Sequence, residues 1–229
     1  MDKHWSDLNK EMQTLISRKD SFADGMEKLL ELRASLFEVI AQMAETLPPE
    51  AFYHMPYAGA KGYHSKTLAY SIWHIFRIED IVAHEMIARD RQVLFDRGFD
   101  RTVHAPIITT GNELDRQGVM VFSKQVDIRE LCRYAQEVKR STERLLTGLA
   151  HSDLKRRFGG DMNEKLRQTG CVSEDENAVW LIEYWCGKDV LGLIKMPFSR
   201  HWIMHVEAMR RIEDRLLRTS QRHSNRTKE

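Results

Sequence analysis

Residues 24–47 read Asp24-Gly25-Met26-Glu27-Lys28-Leu29-Leu30-Glu31-Leu32-Arg33-Ala34-Ser35-Leu36-Phe37-Glu38-Val39-Ile40-Ala41-Gln42-Met43-Ala44-Glu45-Thr46-Leu47. Met26, Leu29, Leu30, Leu36, Phe37, Ile40, Met43, Ala44 and Leu47 recur at i, i+3, i+4 and i+7, the spacing of one face of an α-helix. Asp24 and Glu27 are spaced like a capping box at its start, and Pro48-Pro49 stops it. Before it, His4 to about Arg18 is a shorter helical stretch.

The same period returns downstream. Ser65 or Thr67 can cap a helix running to about Arg91, with Leu68, Ile72, Ile75, Phe76, Ile78, Val82 and Met86 on its apolar side. Asp127 and Glu130 repeat the capping-box spacing ahead of Leu131, Tyr134, Val138, Leu145, Leu146 and Leu149. Ser173-Glu174-Asp175-Glu176 opens a helix carrying Trp180, Leu181, Tyr184 and Trp185, with a break near Gly187 or Gly192. Pro197 suits the first turn of a last helix reaching about Thr219. Residues 92–126 read as an irregular insertion with room for a short strand or helix, 151–172 as a second irregular crossover, and 220–229 as a frayed tail carrying Arg222, Arg226 and Lys228. The alternating strands of a Rossmann or TIM fold are missing. The expectation is an all-α chain, one four-helix bundle over residues 1–229, with 1–20 as an N-terminal extension and long crossover segments.

Composition excludes several classes of function. Lys+Arg number 35 and Asp+Glu 34, so no global charge draws the chain to nucleic acid or an anionic membrane. The basic end (Arg210, Arg211, Arg215, Arg218, Arg222) is mixed with Glu213 and Asp214 and lacks interleaved aromatics. No run of 18 apolar residues suggests a membrane span, and the first residues lack a signal-peptide core. The cysteines, Cys132, Cys171 and Cys186, are odd in number and far apart, which argues against a disulfide framework and for a cytoplasmic protein. There is no GxxxxGK[ST], no GxGxxG after a strand and no GxSxG.

The sharpest chemical pattern is His201-Trp202-Ile203-Met204-His205. Two histidines four apart on a helix lie on one face, one turn apart, and can reach a single metal ion. By chance, about 0.4 such pairs are expected in a chain with this many histidines, so the pair alone does not decide. His74 adds to it, because it stands among the apolar residues of a long helix, where an imidazole needs a partner. A hydrogen-bonded core histidine is the plainer explanation of His74 taken singly.

The run Ser71-Ile72-Trp73-His74-Ile75-Phe76-Arg77-Ile78-Glu79-Asp80, with His201 and His205 in the last helix, resembles the DinB/YfiT-like metalloenzymes. The resemblance covers about residues 24–219; the crossovers are additional to the short family members, and Val206-Glu207-Ala208-Met209 departs from the family's ending. It implies an up-down-down-up bundle with a divalent metal on His74, His201 and His205, most simply Zn or Ni, with Fe or Cu also suited to imidazole. It further implies a transferase acting with a low-molecular-weight thiol. Hydrolysis is the other enzymatic chemistry such a site allows, and a metal-binding or stress-response sensor is the non-enzymatic alternative. A small-molecule substrate is expected, and a homodimer is left open.

Other residues are weighed beside the triad. The loop 48–65 holds Tyr53, His54, Tyr57, Tyr63 and His64, all expected to border a pocket over the metal, with Tyr63 and His64 as candidates for proton transfer. Glu79, Glu85 and Glu207 could hold imidazole tautomers, though solvated helix charges are the better expectation. Haem would leave a third histidine unexplained, and a di-iron bundle needs Glu-x-x-His on two helices.

Overall fold

The computed structural model describes residues 2–226, with side chains through Thr219. Its α-helices of six residues or more are α1 (Lys3–Leu15), α2 (Phe22–Thr46), α3 (Leu68–Asp80), α4 (Arg116–Gln125), α5 (Ile128–Thr147), α6 (Asp161–Gln168), α7 (Trp180–Cys186), α8 (Val190–Lys195) and α9 (His201–Arg226). No strand forms among the described residues, and Arg157 and Asp189 make an isolated bridge. No helix among them is long and apolar enough to cross a membrane.

α2 and α3 each pack against both α5 and α9. Their facing stripes, including Leu36, Ile40, Trp73, Phe76, Tyr134, Val138, Trp202 and Val206, are buried in one core. α1 lies along α2, and its close approach is set at Gly25, where a Cβ would stand 2.3 Å from the Ile16 nitrogen. A second core forms where Met12, Ile16, Met26 and Leu29 meet Ile78–Ile87 and the segment 154–198.

Three boundaries differ from the sequence reading. α2 begins at Phe22, and Ser21 donates to the Leu15 carbonyl, so Asp24 and Glu27 lie inside the helix and do not box its end. Residues 173–179 are turns, because Asp175 Oδ1 accepts from the Asn177 backbone and side-chain nitrogens, a local bond that competes with helix. The last helix continues through Arg226 where a frayed end was expected, while Lys228 lies outside the described residues. Elsewhere Thr67, Asp127 and Asp189 cap α3, α5 and α8.

α3 widens into a π segment, Ile81–Ala88, and α9 is preceded by another, Met196–Arg200. Pro197 lies in the second, where its missing N–H and its ring disfavour α-helical bonding. There the His201 amide bonds the Met196 carbonyl.

Candidate metal centre

α3 contributes His74; α9 contributes His201 and His205 from its first two turns. All three are buried, with 3–7% of their surface exposed. Ring centroids lie 5.1 Å apart for His74 and His201, 4.9 Å for His74 and His205, and 4.6 Å for His201 and His205. One potential ligand atom from each falls within 4.8 Å of the others. The centre of such a triangle is at most about 2.8 Å from each nitrogen, so small side-chain rotations bring an ion to the ordinary Zn–N distance of about 2.0–2.1 Å.

The protonation state suits ligation. Burial, with a smaller push from the Lys66 charge, lowers His74 to about 4 against the opposing Thr110 bond. Burial and the mutual proximity of the rings hold His201 and His205 well below the ordinary histidine value. All three are neutral at pH 7, the form that donates a lone pair. His201 Nδ1 and both ring nitrogens of His205 are buried with no hydrogen-bond partner. One nitrogen of each ring lies near those of the other two, and a cation held there would give that nitrogen a partner.

A backbone strap orients His74. Residues 108–111 run along α3 and spend four consecutive carbonyls on it: Ile108 accepts from Arg77 Nε (2.7 Å), Thr109 from Trp73 Nε1 (2.9 Å), Thr110 from His74 Nδ1 (2.8 Å) and Gly111 from the Tyr70 hydroxyl (3.0 Å). A carbonyl only accepts, so the His74 proton sits on Nδ1 and Nε2 is the free ligand. The Tyr70 ring stacks on His74 at 5.5 Å and 11°. Gly111 permits the strap's turn at φ 80°, with the Tyr70 ring 3.0 Å from where a Cβ would be.

A clamp below the site fixes α9. Arg33, fully buried on α2, makes a bidentate pair with Glu79 (2.9 and 2.7 Å), reaches Glu143 at 3.3 Å and donates to the Phe198 carbonyl at 3.1 Å. Its guanidinium lies 4.4 Å from the centroid of the Trp202 ring, whose Nε1 donates to Glu79 at 2.9 Å. Glu79 is therefore no solvated charge, and it supports the residue beside His201 without touching an imidazole. Of the other carboxylates, Glu85 accepts from Gln92 and Glu207 from the Asp2 amide.

The aromatic loop is only partly at the site. The Tyr63 ring meets His205 edge-on at 4.7 Å and borders a cleft of about 260 Å³ that opens on His74 and His201. His64, expected beside it for proton transfer, instead accepts from Arg211 at 3.3 Å and does not line that cleft. Tyr57 donates to the Arg211 carbonyl. Tyr53 and His54 turn away: His54 Nδ1 donates to the Glu50 carbonyl, and Tyr53 faces a larger groove of about 820 Å³ between α2 and α5 that no histidine lines. Burial pushes Cys132 up to about 11 and raises Cys186, so neither offers a thiolate at neutral pH.

Comparison with known proteins finds no matching family model, no matching curated protein and no matching solved structure.

Proposed function

We propose that the chain is a metal-dependent enzyme of the DinB-like type, with His74, His201 and His205 holding one divalent ion, and that it acts with a low-molecular-weight thiol. The observation that carries this reading is the convergence of three buried, neutral imidazoles, each with a potential ligand atom within 4.8 Å of the others, where His201 Nδ1 and both His205 nitrogens have no hydrogen-bond partner. The helix order supports it. Leu30 and Ala34 lie with Lys139–Thr147, while Phe37–Leu47 lie with Ile128–Gln136, so α2 and α5 are antiparallel. Trp202 meets Glu79, His205 meets His74, and Arg211 meets His64, so α9 runs against α3. Arg33 meets Trp202 while Trp5, bonded to Ser35, lies by Arg210, so α9 runs with α2. These contacts support reading the four helices as up-down-down-up.

A divalent ion in such a site supplies Lewis-acid chemistry that lowers the pKa of a thiol or water. The chain's residues do the rest. The three neutral rings leave the ion's positive charge uncompensated. The strap on His74 and the Arg33–Glu79 clamp under Trp202 hold the ligands without rearrangement, and the aromatic walls of the cleft exclude water. Tyr63 stands at the cleft edge, where its hydroxyl can give a proton to a leaving group. A sensor would close its fourth position with protein; among the described residues the group holds three ligands, and a cleft opens on two of them, which favours an enzyme over a sensor.

The test is metal analysis of protein purified without a polyhistidine tag, followed by turnover with a panel of thiols and an electrophilic acceptor. One metal equivalent, lost in His205→Ala, and thiol-dependent turnover that falls at least tenfold in Tyr63→Phe are expected. Metal content equal in wild type and His205→Ala would overturn the site. Stoichiometric metal with no turnover on any thiol would overturn the enzyme.

A further inference from the structure

The cleft over the histidines has an unusual wall. Trp180, Tyr184 and Trp185 from α7 form one side, Tyr63 and Pro197 close the edges, and Asn112 is the polar side chain in it besides the histidines. No Asp, Glu, Lys or Arg lines it. Most large aromatics in this chain are buried, but Trp180 is 49% exposed and Tyr63 39%. These are the two aromatics among the large exposed hydrophobic residues described, and both stand on the rim of this one cleft. Trp180 is held in place, its Nε1 donating to the Asn177 carbonyl and its ring edge-on to Tyr184 at 5.9 Å.

We infer that the cleft binds a flat aromatic compound of one or two rings, whose single donor or reacting group reaches down to His74 and His201. The placement of that group rests on the three-histidine reading; the recognition of the ring rests on the walls alone. A volume of about 260 Å³ lies below the range of about 300–1,000 Å³ usual for drug-sized ligands, which sets the size. Ring faces and edges offer stacked and edge-on contacts to a planar guest and little to a flexible polar chain. The absence of charged side chains leaves an ammonium without a partner inside and leaves an anionic group with none along the aromatic walls, and burying a charge unpaired is costly. In a thiol-transfer reaction the cleft takes the electrophilic acceptor, and the polar tail of the thiol stays outside.

Two arms separate this proposal from the metal site. In the first, metal-free protein is titrated with 2-naphthol, followed by calorimetry and by quenching of Trp fluorescence. Saturable one-to-one binding is expected, weakened at least fivefold in Trp180→Ala, whose half-exposed side chain can be removed without unfolding the chain (checked by circular dichroism). In the second, zinc-loaded protein binds benzohydroxamate and acetohydroxamate, which share a chelating head and differ by the ring. The ring is expected to tighten binding at least tenfold, and Trp180→Ala to cut that ratio below threefold with zinc affinity unchanged. Naphthol binding without zinc binding would sink the metal reading and leave the aromatic cleft standing. Zinc binding with equal hydroxamate affinities and no naphthol binding would overturn the cleft.

Discussion

The Arg33–Glu79 clamp makes the strongest claim on stability. Both side chains are fully buried, and each has more than one partner. In Arg33→Met the apolar stem is kept and the charge removed. Glu79 then remains in the core with Trp202 Nε1 as its one remaining donor, and the Phe198 carbonyl loses the Arg33 bond. Removing one partner of a buried pair costs about 3–5 kcal/mol, because the other charge stays buried and uncompensated. For a chain of this size each kcal/mol moves the melting temperature by about 2–4 °C, so a fall of about 6–20 °C is expected. Arg33→Met/Glu79→Gln removes both charges while keeping an acceptor for Trp202, and should recover at least half of the loss. The assay is urea unfolding with thermal melts on all four members of the cycle. A loss below about 1 kcal/mol in Arg33→Met, or a double variant as unstable as the sum of the singles, would refute the reasoning. Because the clamp also fixes Phe198 and Trp202, zinc affinity should fall in Arg33→Met and return partly in the double variant.

Three further outcomes follow from particular residues. The unfolded chain takes up the His74 proton near pH 6.5 and the native chain at about 4, so the unfolded state holds more protons between them; metal-free protein should lose roughly 3 kcal/mol as pH falls through that window, and an unchanged urea midpoint between pH 7 and 4.5 would contradict it. Gly25→Ala puts a methyl against the Ile16 backbone and should cost about 1–3 kcal/mol in urea melts while leaving zinc affinity unchanged; a neutral or stabilising effect would show that α1 shifts freely. His205→Leu should abolish zinc binding yet leave the metal-free protein as stable as wild type or about 1 kcal/mol more so, since it removes two buried unpartnered nitrogens; zinc in hundredfold excess over its Kd should add about 2.7 kcal/mol to wild type alone.

Much of the helical frame was legible because buried helix faces carry a 3.6-residue period, and the four segments with the clearest stripes are α2, α3, α5 and α9. The histidines were legible because His201 and His205 share a helix face and His74 stands among apolar residues. The supports were not. The strap on α3 works through carbonyls 108–111, and a carbonyl has no side-chain signature, so the segment read as an irregular insertion. Arg33 did leave a signal: it falls four residues after Leu29 and three before Leu36, on the apolar stripe itself. Glu79 lies just as deep, next to Ile78. Two opposite charges at core positions of two amphipathic helices point to a buried pair, and the general rule that charged helix residues are solvated hid it. Trp180 and Tyr184, four apart on a helix legible only as apolar, line the cleft, and the Asx turn at Asp175 starts that helix later than its acidic residues suggest.

The distribution of unpaired atoms discriminates between a structural and a ligand-binding role for the histidines. A core histidine kept for the fold is expected to find at least one partner, as His84 does: Nδ1 bonds Asp90 at 2.6 Å, although its Nε2 is buried without one. His205 finds none for either nitrogen, His201 none for Nδ1, and all three of these atoms are buried. Each unmade bond costs about 1–3 kcal/mol, and three together approach the whole stability of an ordinary domain, about 5–15 kcal/mol. Such a cost serves no purpose in a scaffold, where leucine at these positions would pack without it. It is intelligible where one nitrogen of each ring is kept free for a bound ion, with stability given up for function. The His205→Leu outcome turns on this difference. A structural histidine would make the variant less stable without metal, whereas a ligand histidine makes it at least as stable and unable to bind.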